Sequence, residues 1–393
     1  MEKDIPELNI GIVGHIDHGK TTLLEKLTGK NTDTHSEELK RGITIKLGYA
    51  DLLLKKQGNE YGKQGEAFRY ISFVDAPGHE MLMATMLSGA AIMDAAILVI
   101  AANEGIKPQT REHLTALGAK NIKQIIIIQN KIDLVDKEQA KKNYKEIKEF
   151  VKGTIAENSK IIPISAQQEI NLEEVYKTLG EIEIPKRNLE EKPLFLIARS
   201  FDINRPGSEI KGLKGGILGG IIKKGVLKIG DEIEIKPGLS EKKDNKFSYK
   251  TLKTKISAIF KGKDKIQEAK PGSTIALETE LDPKITKADS LSGCIASIPN
   301  ELPEITSNIK ISYKLFKEVL GIEEHKEVED IKTNELLMLA INTTITVGQV
   351  LSAQKDSLEL ALKIPIVPLK GENIGIARNF NSHWRLIGFG EII

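Results

Sequence analysis

Cysteine is almost absent from this sequence of 393 residues, which contains a single one, Cys294. One thiol cannot form an internal disulfide framework or a zinc site built from several thiolates, so we expect a reducing, cytoplasmic location. Long apolar runs are missing as well, since the longest comprises the eight residues 95–102. Residues 1–4 lack the start of a signal peptide. The sequence therefore predicts no association with a membrane.

An excess of charge of one sign is also missing, because 57 Lys and Arg residues stand against 55 Asp and Glu residues, a net charge of +2. This balance excludes a strongly basic chain that coats nucleic acid through bulk charge, and we expect no DNA partner. A local basic face is still compatible with it. At roughly 100–200 residues per domain, the length allows two or three domains.

The first half of the sequence alternates apolar runs with helical patterns, which is typical of a doubly wound α/β sheet. Continuous apolar runs predict strands that are buried on both faces at residues 10–13, 71–74, 95–101 and 124–128. Helices are predicted at residues 21–27, 80–91, 110–117, 137–152 and 172–179. We expect Gly29 to end the helix at 21–27, Gly153 the helix at 137–152 and Gly180 the helix at 172–179.

After residue 187 the helical periodicity gives way to strands punctuated by glycine, and a second break falls at residues 298–303. We expect an α/β domain at 1–188, a β-barrel domain II at 189–302 and a β-barrel domain III at 303–393. Residues 242–250 mix basic and aromatic side chains. A solvated β-hairpin is favoured over an RNA-contacting one there.

A phosphate-binding loop is predicted at residues 14–21, which read GHIDHGKT and match G-x-x-x-x-G-K-[ST] between a buried strand and a helix. Backbone N–H groups and the helix N-terminus bind phosphate oxygens in such a loop. Lys20 is expected to reach the β- and γ-phosphates, and the Thr21 hydroxyl to ligate Mg²⁺. The remaining residues assigned to nucleotide binding here are Asp17, His18, Gly19 and Thr22.

Two further motifs surround the γ-phosphate in this interpretation. Asp75 ends the strand at 71–74 and is expected to hold Mg²⁺ through water, while the Gly78 N–H meets the phosphate. Thr44, in the sequence RGIT, is expected to place its hydroxyl on Mg²⁺ only while the γ-phosphate is present. His79 follows the second motif directly, which favours a catalytic role in orienting the attacking water over mere packing. The predicted catalytic residues are therefore Lys20, Thr44 and His79.

The base is predicted from two motifs that follow later strands. They comprise Asn130, Lys131, Ile132, Asp133, Ser165, Ala166 and Gln167. The Asp133 carboxylate can accept from guanine N1–H and N2–H₂, Asn130 can meet the six-membered edge, and the Ala166 N–H can donate to O6. Adenine would leave a buried carboxylate unpaired, which a polar pocket rejects by about 10⁴-fold or more. GTP and GDP are thus predicted over ATP and ADP.

In combination, these motifs resemble those of the translational GTPases, and the domain layout resembles elongation factor Tu. The longer strings at residues 35–42, 47–51, 83–90 and 199–216 are similar to the gamma-subunit family of archaeal and eukaryotic translation initiation factor 2. That resemblance implies GTP hydrolysis, delivery of initiator methionyl-tRNA to the small ribosomal subunit, and a heterotrimer with alpha and beta subunits. It also implies a second Mg²⁺ held by Asp17 and the Gly42 carbonyl.

One departure from that family concerns zinc. Its members commonly carry a knuckle of two Cys pairs between the switch loop and the strand that ends at Asp75, whereas residues 55–67 contain no cysteine. We expect no zinc here, a short polar turn between strands at 47–54 and 68–74, and the loss of contacts that the knuckle would make.

Three other functions stay open. A selenocysteine-specific elongation factor would share the motifs but usually adds a further C-terminal domain, whereas this sequence stops at Ile393. A GTP-bound assembly scaffold without turnover is disfavoured by Thr44 and His79. A plain ATPase is disfavoured by Asp133.

Overall fold

The structure is a computed structural model that describes residues 5–30, 47–77, 83–204, 214–243, 246–320, 326–381 and 383–393. Its first sheet has seven strands in the order β3-β2-β4-β1-β5-β6-β7. They are β1 (Glu7–Gly14), β2 (Gly48–Gln57), β3 (Glu60–Gly62), β4 (Glu66–Asp75), β5 (Ala95–Ala101), β6 (Gln124–Asn130) and β7 (Ile161–Pro163). From β4 to β7 the neighbours are parallel, and β2 and β3 extend the sheet in antiparallel pairing. The predicted buried strands are confirmed.

The helices of this sheet are α1 (Lys20–Thr28), α2 (Met83–Ala90), α3 (Pro108–Ala119), α4 (Lys137–Phe150) and α5 (Leu172–Glu181). Gly29 ends α1 in the left-handed conformation (φ +76°), as predicted. The other two predicted ends are wrong, because α4 already ends at Phe150 and Gly180 lies inside α5. Residues 80–82 of the helix predicted at 80–91 lie outside the described residues.

Gly180 is explained by packing rather than by helix termination. A Cβ at this position would lie 2.7 Å from ring atoms of Tyr61, on β3. Tyr61 also makes an edge contact with Phe68, with ring centroids 5.1 Å apart. The prediction of a short polar turn between β2 and β4 is wrong, because the two strands stay paired as far as Lys56 and Glu66. In addition, β3 pairs with the end of β2.

The sheet places its functional residues at one edge. All seven residues of β5 are buried, as expected for a central strand covered on both faces. Leu23, Leu24 and Leu27 of α1 join the same apolar core. Since parallel strands end at a common edge, Gly14, Asp75 and Asn130, the last residues of β1, β4 and β6, meet there.

A barrel closed by six strands follows, in the order β11-β16-β8-β9-β15-β12, with β11 and β12 also paired and β13 added on β12. Its segments are β8 (Leu194–Phe201), β9 (Ile217–Lys224), β10 (Leu227–Lys228), β11 (Glu232–Lys243), β12 (Lys246–Lys261), β13 (Asp264–Ile266), β14 (Glu268–Ala269), β15 (Thr274–Thr279) and β16 (Ile295–Ser297). The hairpin predicted at 242–250 is formed by β11 and β12, with Lys242 opposite Phe247.

The last sheet is a second closed barrel, in the order β17-β20-β19-β18-β21-β22. Its strands are β17 (Thr306–Leu315), β18 (Leu336–Ile341), β19 (Thr344–Ala353), β20 (Ser357–Ile366), β21 (Asn373–Phe380) and β22 (His383–Ile392). The predicted fold class, an α/β domain and two β-barrels, is confirmed. Within the described part of the chain, the helices are too short or too polar to cross a membrane.

Candidate nucleotide-binding site

Residues 14–19 form the loop that joins β1 to α1, and glycine is required at both of its ends. Gly14 has a φ of +140°, and a Cβ there would lie 2.3 Å from the Val99 carbonyl oxygen. Gly19 has a φ of +85°, and a Cβ there would lie 2.3 Å from Nδ2 of Asn130. Because the N-cap residue of α1 is this glycine, no capping side chain competes for the N–H groups of the first turn.

Lys20 and Thr21 open α1 and bring the expected chemistry to the loop. Lys20 is only 6% exposed, and its Nζ donates to the His15 carbonyl oxygen at 2.7 Å. The Thr21 hydroxyl donates to Oδ2 of the buried Asp75 at 3.0 Å. A hydroxyl beside a carboxylate is the oxygen donor set that Mg²⁺ prefers. The residues present thus fit a bound phosphate chain with its magnesium ion.

Asn130 joins the phosphate loop to the loop after β7. Its side chain is 2% exposed. Nδ2 donates to the His18 carbonyl oxygen at 2.9 Å, and Oδ1 accepts from the Ala166 N–H at 3.0 Å. The buried Ser165 accepts from the Gln168 N–H at 3.2 Å and steadies the second loop. One side chain therefore sets the spacing between the predicted phosphate and base sites.

The base loop follows β6 directly. Residues 132–134 form a 3₁₀ turn, held by an Ile132 N–H to Ile164 carbonyl bond of 3.2 Å. Asp133 lies exposed in this turn. Lys131 adopts the left-handed conformation, and its Nζ lies 3.5 Å from Oε1 of Glu104. Gln167 is exposed as well.

The other predicted site residues differ in their exposure. Asp17 is exposed at a φ of +59°, and Thr22 is half-buried in the first turn of α1. His18 is fully buried, with Nδ1 3.2 Å from the Val99 carbonyl oxygen. Burial lowers the pKa of His18 to about 3, so its ring is neutral and packs against the sheet. Its carbonyl oxygen is the acceptor of the bond from Asn130.

Four predicted residues, Gly42, Thr44, Gly78 and His79, lie outside the described residues. Two residues with site contacts are missing from the sequence prediction. His113 on α3 accepts a hydrogen bond from the Gly14 N–H, and Glu104 forms the ion pair with Lys131. Neither belongs to a local motif, so only their contacts with the motif residues identify them.

Comparisons with known proteins agree with this geometry. Residues 6–185 match the family model described as the elongation factor Tu GTP binding domain. Residues 307–392 match the model described as initiation factor eIF2 gamma, C terminal. Together with the phosphate loop and the two barrels, these matches define a translational GTPase.

Individual relatives narrow the class. The chain is 51% identical to translation initiation factor 2 subunit gamma of Methanococcus maripaludis, over 98% of both chains. It is 49% identical to the same subunit of Archaeoglobus fulgidus, over 100% of this chain and 95% of that one. Elongation factor SelB of M. maripaludis, solved with the GTP analogue GppNHp, superposes with a TM-score of 0.75 at 26% identity, over 100% of this chain and 80% of SelB. The chain belongs to the translation initiation factor 2 subunit gamma family, and it is a GTP-dependent initiation factor subunit.

Proposed function

We propose that this chain binds initiator methionyl-tRNA in its GTP state, delivers it to the small ribosomal subunit and then hydrolyses GTP to GDP. In this proposal it acts in the cytoplasm as one subunit of a heterotrimer with alpha and beta subunits. The observation that carries the proposal is a difference in sequence identity to two proteins of the same organism. The chain is 51% identical to the M. maripaludis gamma subunit and 26% identical to the M. maripaludis SelB.

The proposed chemistry is in-line attack of water on the γ-phosphate, stabilised by charge at the site. Lys20, Thr21 and Asp75 are proposed to bind the phosphates and Mg²⁺, with Thr44 as a second hydroxyl ligand. A second Mg²⁺ is assigned to Asp17 and the Gly42 carbonyl. His79 is proposed to orient the water. The bond between Thr21 and Asp75 and the burial of Lys20 support these roles.

Guanine selection is assigned to the two base motifs. Asp133 is proposed to accept from the two guanine donors, and the Ala166 N–H to donate to O6. The bond from Asn130 to Ala166 supports this assignment, because it fixes the second loop relative to the first. The remaining members of the proposed nucleotide set are His18, Gly19, Thr22, Gly78, Lys131, Ile132, Ser165 and Gln167.

The decisive experiment is a binding titration of methionyl initiator tRNA to the heterotrimer, once with the GTP analogue GppNHp and once with GDP. Tight binding in the first state and weak binding in the second is expected. Equal affinities would refute the proposal, because a ligand without differential affinity shifts no switch. A second arm uses Asp133→Asn, which keeps the side-chain size. This variant should lower guanine-nucleotide affinity, so tRNA binding should then require more nucleotide.

A selenocysteine-specific elongation factor is the second candidate, favoured by the superposition on SelB. Purification with endogenous tRNA, followed by sequencing of that tRNA, separates the two. Initiator tRNA supports the first proposal, selenocysteine tRNA supports the second, and elongator tRNA overturns the first. A non-hydrolysing scaffold predicts no phosphate release even with ribosomes present.

We also propose three domains, 1–188, 189–302 and 303–393, and no zinc in the first. The domain limits are supported by strand pairing, since β1–β7, β8–β16 and β17–β22 pair only among themselves in the described part of the chain. The zinc-free hairpin at 55–67 is supported by Tyr61, whose ring packs on Gly180 and Phe68 and fixes the hairpin to α5.

A further inference from the structure

A buried histidine lies behind the phosphate loop, on α3. His113 is 1% exposed, and its Nδ1 accepts a hydrogen bond of 2.9 Å from the backbone N–H of Gly14. Since Nδ1 is the acceptor, the ring carries its proton on Nε2 and is the neutral tautomer. The bond joins residues 99 positions apart in the chain.

The acceptor role of His113 is stable over the physiological pH range. Burial, assisted by the positive charge of Lys20, lowers the pKa of His113 to about 3. A protonated ring would present N–H at both nitrogens and would repel the Gly14 donor. The neutral ring therefore persists wherever the protein is folded at ordinary pH.

The bond falls on the residue where the phosphate loop begins. Gly14 has a φ of +140°, and its backbone passes so close to β5 that a Cβ would lie 2.3 Å from the Val99 carbonyl oxygen. Its N–H points back to α3 rather than to the concave side of the loop. At the other end of the loop, Asn130 holds the His18 carbonyl. Both ends are thus fixed by buried side chains from other elements.

We infer that His113 is a positioning residue for the GTPase site: it anchors Gly14 so that the N–H groups that follow face the nucleotide phosphates. This inference rests on the nucleotide site proposed above. Without the acceptor, the Gly14 N–H would be buried and unpaired, which is energetically costly. The loop would relieve this cost by rotating the peptide so that the N–H finds another partner. Rotation at Gly14 moves the start of the phosphate cradle and weakens phosphate binding.

The test compares three variants of the full chain by the Kd of a fluorescent GDP derivative in Mg²⁺. His113→Leu removes the acceptor and is expected to raise Kd by about tenfold or more. His113→Asn keeps an acceptor oxygen at the branch where Nδ1 stands and is expected to restore Kd to within about threefold of the original chain. Leu117→Ala, a buried residue of the same helix, destabilises α3 and is expected to leave Kd unchanged.

Three outcomes overturn the inference. They are an unchanged Kd for His113→Leu, an equal rise for Leu117→Ala, and a failure of His113→Asn to restore binding. Should His113→Leu not fold, His113→Gln replaces it, because its amide oxygen lies one bond farther out. A Kd for that variant within twofold of the original chain also overturns the inference. If the unmodified chain binds no GDP, the proposed nucleotide site itself is wrong.

Discussion

Removal of the Asn130 side chain tests whether one residue couples the phosphate loop to the base loop. Asn130→Ala deletes two buried hydrogen bonds and leaves the His18 carbonyl and the Ala166 N–H without their partner. Each unpaired buried group costs about 1–3 kcal/mol, so we expect the free energy of unfolding to fall by about 2–6 kcal/mol. Nucleotide binding must then re-order the released loops. At about 1.4 kcal/mol per factor of ten, the Kd for GDP should rise at least about tenfold.

A matched control is available on α4. Asn143 is also buried, and its Oδ1 accepts from Nε2 of Gln129, on β6, at 2.8 Å rather than bonding to either loop. Asn143→Ala should lower stability in urea unfolding yet leave the Kd for GDP unchanged. Asn130→Asp separates the effects of the two hydrogen bonds. It keeps the oxygen that accepts from the Ala166 N–H and replaces the amide group that donates to the His18 carbonyl with a second oxygen. If Asn130→Ala binds GDP as tightly as the original chain, or Asn143→Ala binds as weakly, the coupling described here is refuted.

Three further predictions concern hydrolysis, packing and pH. His79→Ala should lower ribosome-stimulated phosphate release by about 10²–10⁴-fold with little change in the Kd for GTP; an unchanged rate rules out the catalytic role. Gly180→Ala should lower the urea midpoint, because the new Cβ would lie 2.7 Å from Tyr61, and Tyr61→Ala in the same chain should relieve part of that loss. The pKa of His113 is about 3 in the folded chain, below the ordinary value of 6.5 for histidine, because the ring is buried. Only the unfolded chain therefore gains this proton as pH falls from about 6 to 4, and stability falls by about 1.4 kcal/mol per pH unit. His113→Asn should remove that part of the slope in urea unfolding at a series of pH values; an identical slope contradicts the assignment.

The strands and the phosphate loop were predictable because their signals are local. Runs such as 95–101 are apolar throughout, as a strand covered on both faces requires, and β5 has the predicted limits. The loop glycines are part of a fixed spacing. The hydrogen bonds that assemble the site are not local, since Asn130 and His18 are 112 positions apart, and Gly14 and His113 are 99 apart. No sequence periodicity predicts contacts between residues so far apart. The sequence therefore indicates the strands and motif residues, whereas the tertiary fold determines their hydrogen-bond partners.

Glycine illustrates why a local rule can mislead. Gly29 and Gly180 both follow an amphipathic stretch, and both look like helix ends. Only Gly29 has the positive φ that a side chain resists, so only there does backbone conformation explain the residue. At Gly180 the helix continues, and the constraint is the ring of Tyr61, which needs the space that a Cβ would fill. The hairpin at 55–67 and the glycine of α5 are therefore one feature: an aromatic contact that holds a cysteine-free extension of the sheet against a helix.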